Sequence, residues 1–166
     1  IVAEDRVLQL ASISFDTAVE EIFPCLTRGA TLVLRTNSLL DSVPGFLQKC
    51  RDWGITLLDL PTAYWHELTV RMEAESLELP PAVRAVVIGG ERAIPQALAT
   101  WQRHVGSRVR LVNTYGPTEV TVAATICDLA AEGSCAPSWR EEPIGRAIPN
   151  VQVHILDRNL HPVPAG

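Results

Sequence analysis

The sequence predicts an α/β protein: a mainly parallel β-sheet with flanking helices, joined by βαβ units, with extra β-strands toward the C-terminal end. Two observations carry that expectation. Short β-branched or apolar runs alternate with stretches of about 10 to 12 residues whose apolar positions recur at helical spacing, the pattern of strands linked by crossover helices. The chain of 166 residues is also 47% hydrophobic, enough for one compact core. Crossovers between parallel strands are expected to be right-handed.

Taken in order, Val7 to Ala11 reads as a buried strand, and Thr17 to Leu26 as a helix with Val19, Ile22, Phe23 and Leu26 on one face and Gly29 past its end. Thr31 to Leu34 is the next strand. Val43 to Trp53 repeats helical spacing through Phe46, Leu47, Cys50 and Trp53 and closes at Gly54. Two further cycles follow, Ile55 to Leu60 with Ala63 to Met72, then Ala85 to Ile88 with Pro95 to Val105, where Pro95 suits a first helical turn because its missing N–H costs nothing there. Arg110 to Val112 is strand-like. After Glu119 the pattern changes: Val120 to Cys127 is rich in β-branched residues and Val151 to Leu156 alternates, so both read as strands that extend the sheet or begin a second one. Between them Ala130 to Glu142 reads as a polar, proline-containing loop.

A formal net charge of −5 and a pI near 5.3 argue against nucleic acid or an anionic membrane as partner, since both need a basic face. No run approaches the roughly 18 to 20 apolar residues of a membrane span, and the N-terminal IVAEDR lacks an export signal, so a cytoplasmic placement is expected. The four cysteines, Cys25, Cys50, Cys127 and Cys135, form no C-x-x-C pair and stand near no histidine at zinc-ligand spacing; free thiols are expected, with a Cys127 to Cys135 disulfide as the alternative. Neither G-x-x-x-x-G-K-[ST] nor G-x-G-x-x-G occurs. With Ile first and PVPAG last, the chain reads as a piece of something longer.

The densest concentration of chemistry is Asn113 to Glu119, NTYGPTE, where a Gly-Pro turn at a strand end holds an aromatic ring, a hydroxyl and a carboxylate together. By itself it also reads as a plain turn. Gly89 and Gly90 follow a predicted strand and admit either a tight turn or close approach of a flat ligand. Asp16 stands where it would cap the helix beginning near Thr17, and Thr17 with Glu20 forms the T-x-x-E pattern of a capping box. His66 reads as a packed or surface histidine, and Trp53, Trp65 and Trp101 as core anchors.

NTYGPTE resembles the nucleotide-binding motif of adenylate-forming enzymes, most closely that of adenylation domains of nonribosomal peptide synthetases. Three more segments resemble the same family in the same order: SFDTAVEEIFPCLTRGATLVL (14–34), VIGGE (87–91) and PIGRAIPNVQVHILD (143–157). The resemblance implies formation of an aminoacyl-AMP and pyrophosphate from ATP and an amino acid, then acyl transfer to the phosphopantetheine thiol of a partner carrier domain. It implies Glu119 as ligand of Mg²⁺ and Thr118 as donor to a phosphate oxygen, with Gly89, Gly90, Glu91, Asn113, Thr114, Tyr115 and Gly116 around the nucleotide and Tyr115 against adenine. The substrate pocket it implies is lined by Asp16, Thr17, Glu20, Asp59, Val87, Gly89, Thr114, Val122 and Ala123, with Asp16 taking the α-ammonium. Two further carboxylates, Glu20 and Asp59, then favour a basic side chain, lysine before ornithine or arginine, because two buried like charges without a partner are costly. A neutral polar substrate fits if Glu20 stays with its helix cap and Asp59 is solvated or protonated. The family's phosphate loop with its lysine, its ribose-binding aspartate and its mobile C-terminal part do not appear, so the chain is expected to be a subdomain, inactive alone, that pairs with the rest of its adenylation domain and a peptidyl carrier domain. Two other readings stay open: an acyl-CoA or fatty-acyl-AMP ligase, against which Asp16 in its SFD context speaks, and a non-catalytic partner-binding module that kept the fold.

Overall fold

The computed structural model describes residues 1–129 and 143–163, so the stretch 130–142, with Cys135, lies outside the described residues. Within them the strands β1 (Arg6–Gln9), β2 (Thr31–Leu34), β3 (Leu57–Pro61), β4 (Ala85–Gly89), β5 (Arg110–Tyr115), β6 (Thr125–Asp128) and β7 (Arg146–Ala147) form one sheet in the order β2-β1-β3-β4-β5-β6-β7. The first five are parallel and the last two antiparallel. The helices are α1 (Thr17–Thr27), α2 (Val43–Asp52), α3 (Thr62–Glu75) and α4 (Pro95–His104). The predicted elements from Val7 to Val112 all form, with ends shifted by a few residues, and Pro95 occupies the first turn of α4 as expected.

Because β1 lies between β2 and β3, the chain first winds one way along the sheet and then back the other way. Right-handed crossovers therefore put α1 on one face and α2, α3 and α4 on the opposite one. The packing follows. Cys25 of α1 sits with Val7, Leu57 and Ala85, which share one side of the pleat. Their neighbours Leu8, Leu58, Val86 and Leu111 point the other way, into a larger core with Phe46 of α2, Trp65 of α3 and Trp101 of α4. Trp65 and Trp101 meet at 5.8 Å between ring centroids, so α3 and α4 are keyed together by two large rings. At the N-terminal edge of the strands the buried Asp5 accepts from Thr56 Oγ1 and from Arg84 Nε, both at 2.8 Å, which ties the entrances of β1, β3 and β4.

Two predicted strands differ. Val120 to Cys127 is a strand only from Thr125, because Thr118–Val120 forms a 3-10 turn and Thr121 and Val122 take φ of 66° and 73°. Those left-handed residues reverse the chain so that β6 returns antiparallel along β5, and the reversal crosses Gly116 so closely that a Cβ there would lie 2.4 Å from the Val122 carbonyl oxygen. Val151 to Leu156 forms no strand; its alternation finds no neighbour, Val153, Ile155 and Leu156 stay exposed, and one isolated bridge joins Leu156 to Pro162. Cys25, Cys50 and Cys127 carry free thiols, as the sequence favoured. No helix of the described residues is long and apolar enough to cross a membrane.

Candidate functional site

Every parallel strand delivers its C-terminal end to the same edge of the sheet, and β1 beside β3 is the point at which the winding reverses. An open sheet leaves a crevice at such a point. Here it is a cleft of about 700 Å³ whose wall takes residues from the ends of β1, β2, β3, β4 and β5 and from the start of α1. A second lobe of about 430 Å³ adjoins it, and the two share Gly90, Glu91, Thr114, Gly116 and Pro117 as a common ridge.

Asp16, Thr17, Glu20, Asp59, Gly89, Thr114 and Val122, together with Thr118, line the larger lobe. Val87 and Ala123 are not among its lining residues. Val87, half-buried, pairs in register with Asp59 one strand over and lies two residues before Gly89 on β4. Asn113 and Tyr115 line the smaller lobe. Tyr115 is exposed there, whereas the buried Asn113 donates from Nδ2 to the Pro143 carbonyl at 3.2 Å, so its amide nitrogen is committed to the protein. Glu119 lies on the exposed 3-10 turn next to Thr118, outside the residues that line either lobe.

Gly89, which lines the larger lobe, has a packing reason as well. A Cβ at Gly89 would meet Thr114 Oγ1 at 2.7 Å, so its missing side chain admits a neighbouring strand, while Thr62 Oγ1 donates to its carbonyl at 3.0 Å and Thr114 Oγ1 to the Ile88 carbonyl at 3.3 Å. Gly90, at φ 86° with nothing near where a Cβ would project, is the glycine that leaves space at the ridge.

The helix-cap readings of the two acids at α1 do not hold. Asp16 precedes the helix with helical dihedrals and its side chain makes no cap hydrogen bond. The Glu20 carboxyl is turned instead onto Asp59 across the cleft floor, and the two share a hydrogen bond. Asp59, 6% exposed, is held far above the usual carboxylate range, first by its burial and then by the charges of Glu20 and Glu21. Burial raises Glu20 as well, against the hydrogen bond from Asp59. Two neighbouring carboxyls in a site with little water disfavour each other's ionised form, so both are pushed upward and the more buried Asp59 further.

Sequence reasoning missed several wall residues, among them Ala11, Arg35, Thr62 and Tyr64. The signal was available: each stands at or just beyond the C-terminal end of a parallel strand, where a doubly wound sheet gathers its ligand contacts. His66, left as an ordinary histidine, accepts the Ile94 N–H at 3.1 Å at the start of α4 and takes no part in the cleft. No cluster of three or more His, Cys, Asp or Glu side chains that could cage a metal ion exists among the described residues.

Fold and site together define an open α/β protein with a cleft at the switch point of a parallel sheet. The chain belongs to the AMP-binding enzyme family, whose model matches residues 1–166. It is 52% identical over 157 residues to the isonitrile lipopeptide synthase of Streptomyces coeruleorubidus, an overlap of 95% of this chain and 10% of that protein, so the chain spans about a tenth of that relative's length. Among solved structures it superposes with a TM-score of 0.85 on the nonribosomal peptide synthetase FmoA3 in its AMPPNP-bound form, at 24% identity, covering 98% of this chain and 17% of the other. A TM-score of 0.84 at 25% identity relates it to a holo synthetase containing adenylation and PCP domains bound to a vinylsulfonamide inhibitor, covering 99% of this chain and 27% of that one.

Proposed function

We propose that this chain supplies the amino-acid cleft and half of the nucleotide site of an adenylation domain in a nonribosomal peptide synthetase. The parent converts an amino acid and ATP into aminoacyl-AMP and pyrophosphate, and passes the acyl group to the phosphopantetheine thiol of a peptidyl carrier domain. One observation carries the reading: Asp16 stands at the wall of an acidic lobe that meets, across the Gly90 to Glu91 and Thr114 to Pro117 ridge, a second lobe lined by Tyr115. A bound amino acid then has its α-ammonium against Asp16, a charge-assisted contact, and its carboxylate toward the ridge, where the α-phosphate of ATP is met with adenine stacked on Tyr115. Thr118 donates its hydroxyl to a phosphate oxygen.

Thr118, which lines the larger lobe, and Glu119, on the exposed turn beside it, offer hard oxygen ligands, and a single carboxylate suits Mg²⁺, which keeps waters and phosphate oxygens in its shell. Bound there, the ion supplies neutralisation of the phosphate charge that grows in the transition state. Glu119 reaches this position from a turn fixed by Pro117, whose carbonyl accepts the Val120 N–H at 3.0 Å.

For the side chain of the substrate, the Glu20 and Asp59 pair favours a cation, lysine first and ornithine or arginine after it, because an ammonium against these carboxyls offsets the cost of burying their charge. A neutral polar side chain is the second reading, supported by the hydrogen bond the two carboxyls make with one another. Amino-acid-dependent pyrophosphate exchange by the full-length parent tests both, with lysine, ornithine, arginine, glutamine and a medium-chain fatty acid as the panel. Highest exchange with a basic amino acid supports the cation; glutamine moves the assignment to the second reading. Fatty-acid-dependent exchange would make the parent an acyl-AMP ligase, and no exchange with any acid would leave a non-catalytic module.

A further inference from the structure

One buried acid beside the cleft has no place in that chemistry. Glu21 is 1% exposed, on α1 next to the cleft-lining Glu20 but turned away from the cleft toward the end of β1. The N–H of Leu10 donates to its Oε1 at 2.9 Å, the N–H of Ala11 to Oε1 at 3.0 Å and to Oε2 at 3.2 Å, and Gln9 Nε2 to Oε2 at 3.0 Å. Burying a carboxylate costs several kcal/mol unless its lone pairs are met, and here donors from three consecutive residues meet them. A group satisfied so completely is a fixed point.

What it fixes is the approach to Asp16. Between Ala11 and α1 the chain runs through Ser12, Ile13, Ser14 and Phe15, all exposed, with Ile13 84% and Phe15 69% accessible. Inside the loop there are only the Phe15 N–H to the Ser12 carbonyl at 2.9 Å and the Ser14 N–H to Ser12 Oγ at 3.3 Å. No side chain of the loop is buried, so its course is set where it is attached. Glu21 joins the two attachments: it belongs to the helix that starts directly after Asp16, and it grips the backbone at the exit of β1. Asp16 has no side-chain cap bond of its own to hold it.

We propose that Glu21 is a positioning residue for amino-acid recognition: by clamping Leu10 and Ala11 to α1 it sets where Asp16 stands at the cleft wall, and it acts on substrate binding through Asp16 without touching the substrate. The inference rests on the reading of Asp16 as the partner of the α-ammonium. Glutamine at this position keeps the shape and one acceptor but turns an NH₂ group against N–H donors, so the clamp loosens while the helix remains.

A double-mutant cycle in the full-length parent, read by pyrophosphate exchange with the best amino acid of the panel, tests it. Glu21→Gln alone is expected to raise the amino-acid KM about tenfold while the ATP KM changes less than about twofold, since displacing one recognition group acts on one substrate only. In an Asp16→Asn background the same change is expected to add less than about twofold. Full additivity of the two substitutions, or a parallel rise in both KM values, overturns the positioning role, because a general loss of structure does not pass through Asp16. Should Asp16→Asn itself leave the amino-acid KM unchanged, the functional reading of Asp16 fails; should it raise KM while Glu21→Gln does not, only the role of Glu21 fails. If Glu21→Gln is not recovered folded, Gln9→Met removes the side-chain donor to Glu21 and carries the same cycle with a smaller expected rise of about threefold.

Discussion

Asp59, proposed to face the side chain of the substrate, is as a buried acid also a burden on stability. Its folded-state pKa lies above the ordinary 3.8, so between the two values the unfolded chain has already released a proton that the folded chain still holds. Stability therefore falls as pH rises through that window, from about pH 4 upward, and Glu20 acts in the same direction. Asp5, lowered mainly by its hydrogen bond with Arg84, works in the opposite sense, but only in the acid range below its unfolded value. Asp59→Asn is thus expected to melt higher than wild-type parent at pH 8 without substrate, by about 2 to 4 °C for each kcal/mol relieved, with the difference shrinking toward pH 5. A shift that does not depend on pH would mean that Asp59 is not the strained acid. Glu119→Gln is expected to lower kcat about a hundredfold at saturating Mg²⁺ with the amino-acid KM little changed, because it removes charge stabilisation that appears only in the transition state. An unchanged kcat would return Glu119 to an exposed surface carboxylate.

The elements separate into those that make the site and those that carry it, and α3 and α4 belong to the second group. Their contact on the helix-rich face is Trp65 against Trp101, both buried. Trp101→Ala leaves a large void there and is expected to cost about 3 to 5 kcal/mol of stability. Thermal unfolding reads that loss, while the amino-acid KM measured well below the melting range stays at the wild-type value; a raised KM would show the back face coupled to the cleft. The same elements explain what the sequence made legible. Strand and helix alternation up to Val112 follows from periodicity, and those elements form as read, although the α1 face with Val19, Phe23 and Leu26 stays exposed and the helix buries Ala18, Glu21 and Cys25 instead. Val120 to Ala124 is as β-branched as the strand after it, yet Thr121 and Val122 take left-handed dihedrals because the chain must reverse over Gly116, a demand of the tertiary path that propensity does not register. The alternation of Val151 to Leu156 is present without a neighbouring strand to pair with. At the site, placement was legible for Asp16, Glu20 and Asp59, but the direction of each side chain was not. A capping pattern written in T-x-x-E yields to a carboxyl across the cleft, and Glu21, one residue on, carried no motif at all.

At the scale of the whole molecule, apolar surface and missing charge point the same way. Val19, Phe23 and Leu26 form an exposed stripe along α1, continued by Phe15 and Leu34, and a second set runs through Val153, Ile155, Leu160 and Val163. Surfaces of this kind are ordinarily covered, and the chain accounts for about a tenth of its 52%-identical relative. The cations at the cleft are Arg35 in the larger lobe and Arg92 in the smaller. Lys49, the one lysine of the sequence, stands on α2 with its ammonium 6.0 Å from the centre of the Trp53 ring, and it lines neither lobe. Adenylate formation gathers negative charge at the α-phosphate, and electrostatic catalysis needs all its donors aimed there at once. The purified 166-residue chain is therefore expected to give no amino-acid-dependent pyrophosphate exchange, although the Tyr115 lobe retains weak nucleotide binding, measurable by titration calorimetry. Supplying the rest of the adenylation domain as a separate polypeptide is expected to restore exchange and to suppress binding of a hydrophobic dye by the exposed stripes. Robust exchange by the 166-residue chain alone would show that its own arginines suffice for the chemistry, and that the division of the site between this chain and the rest of the parent is wrong.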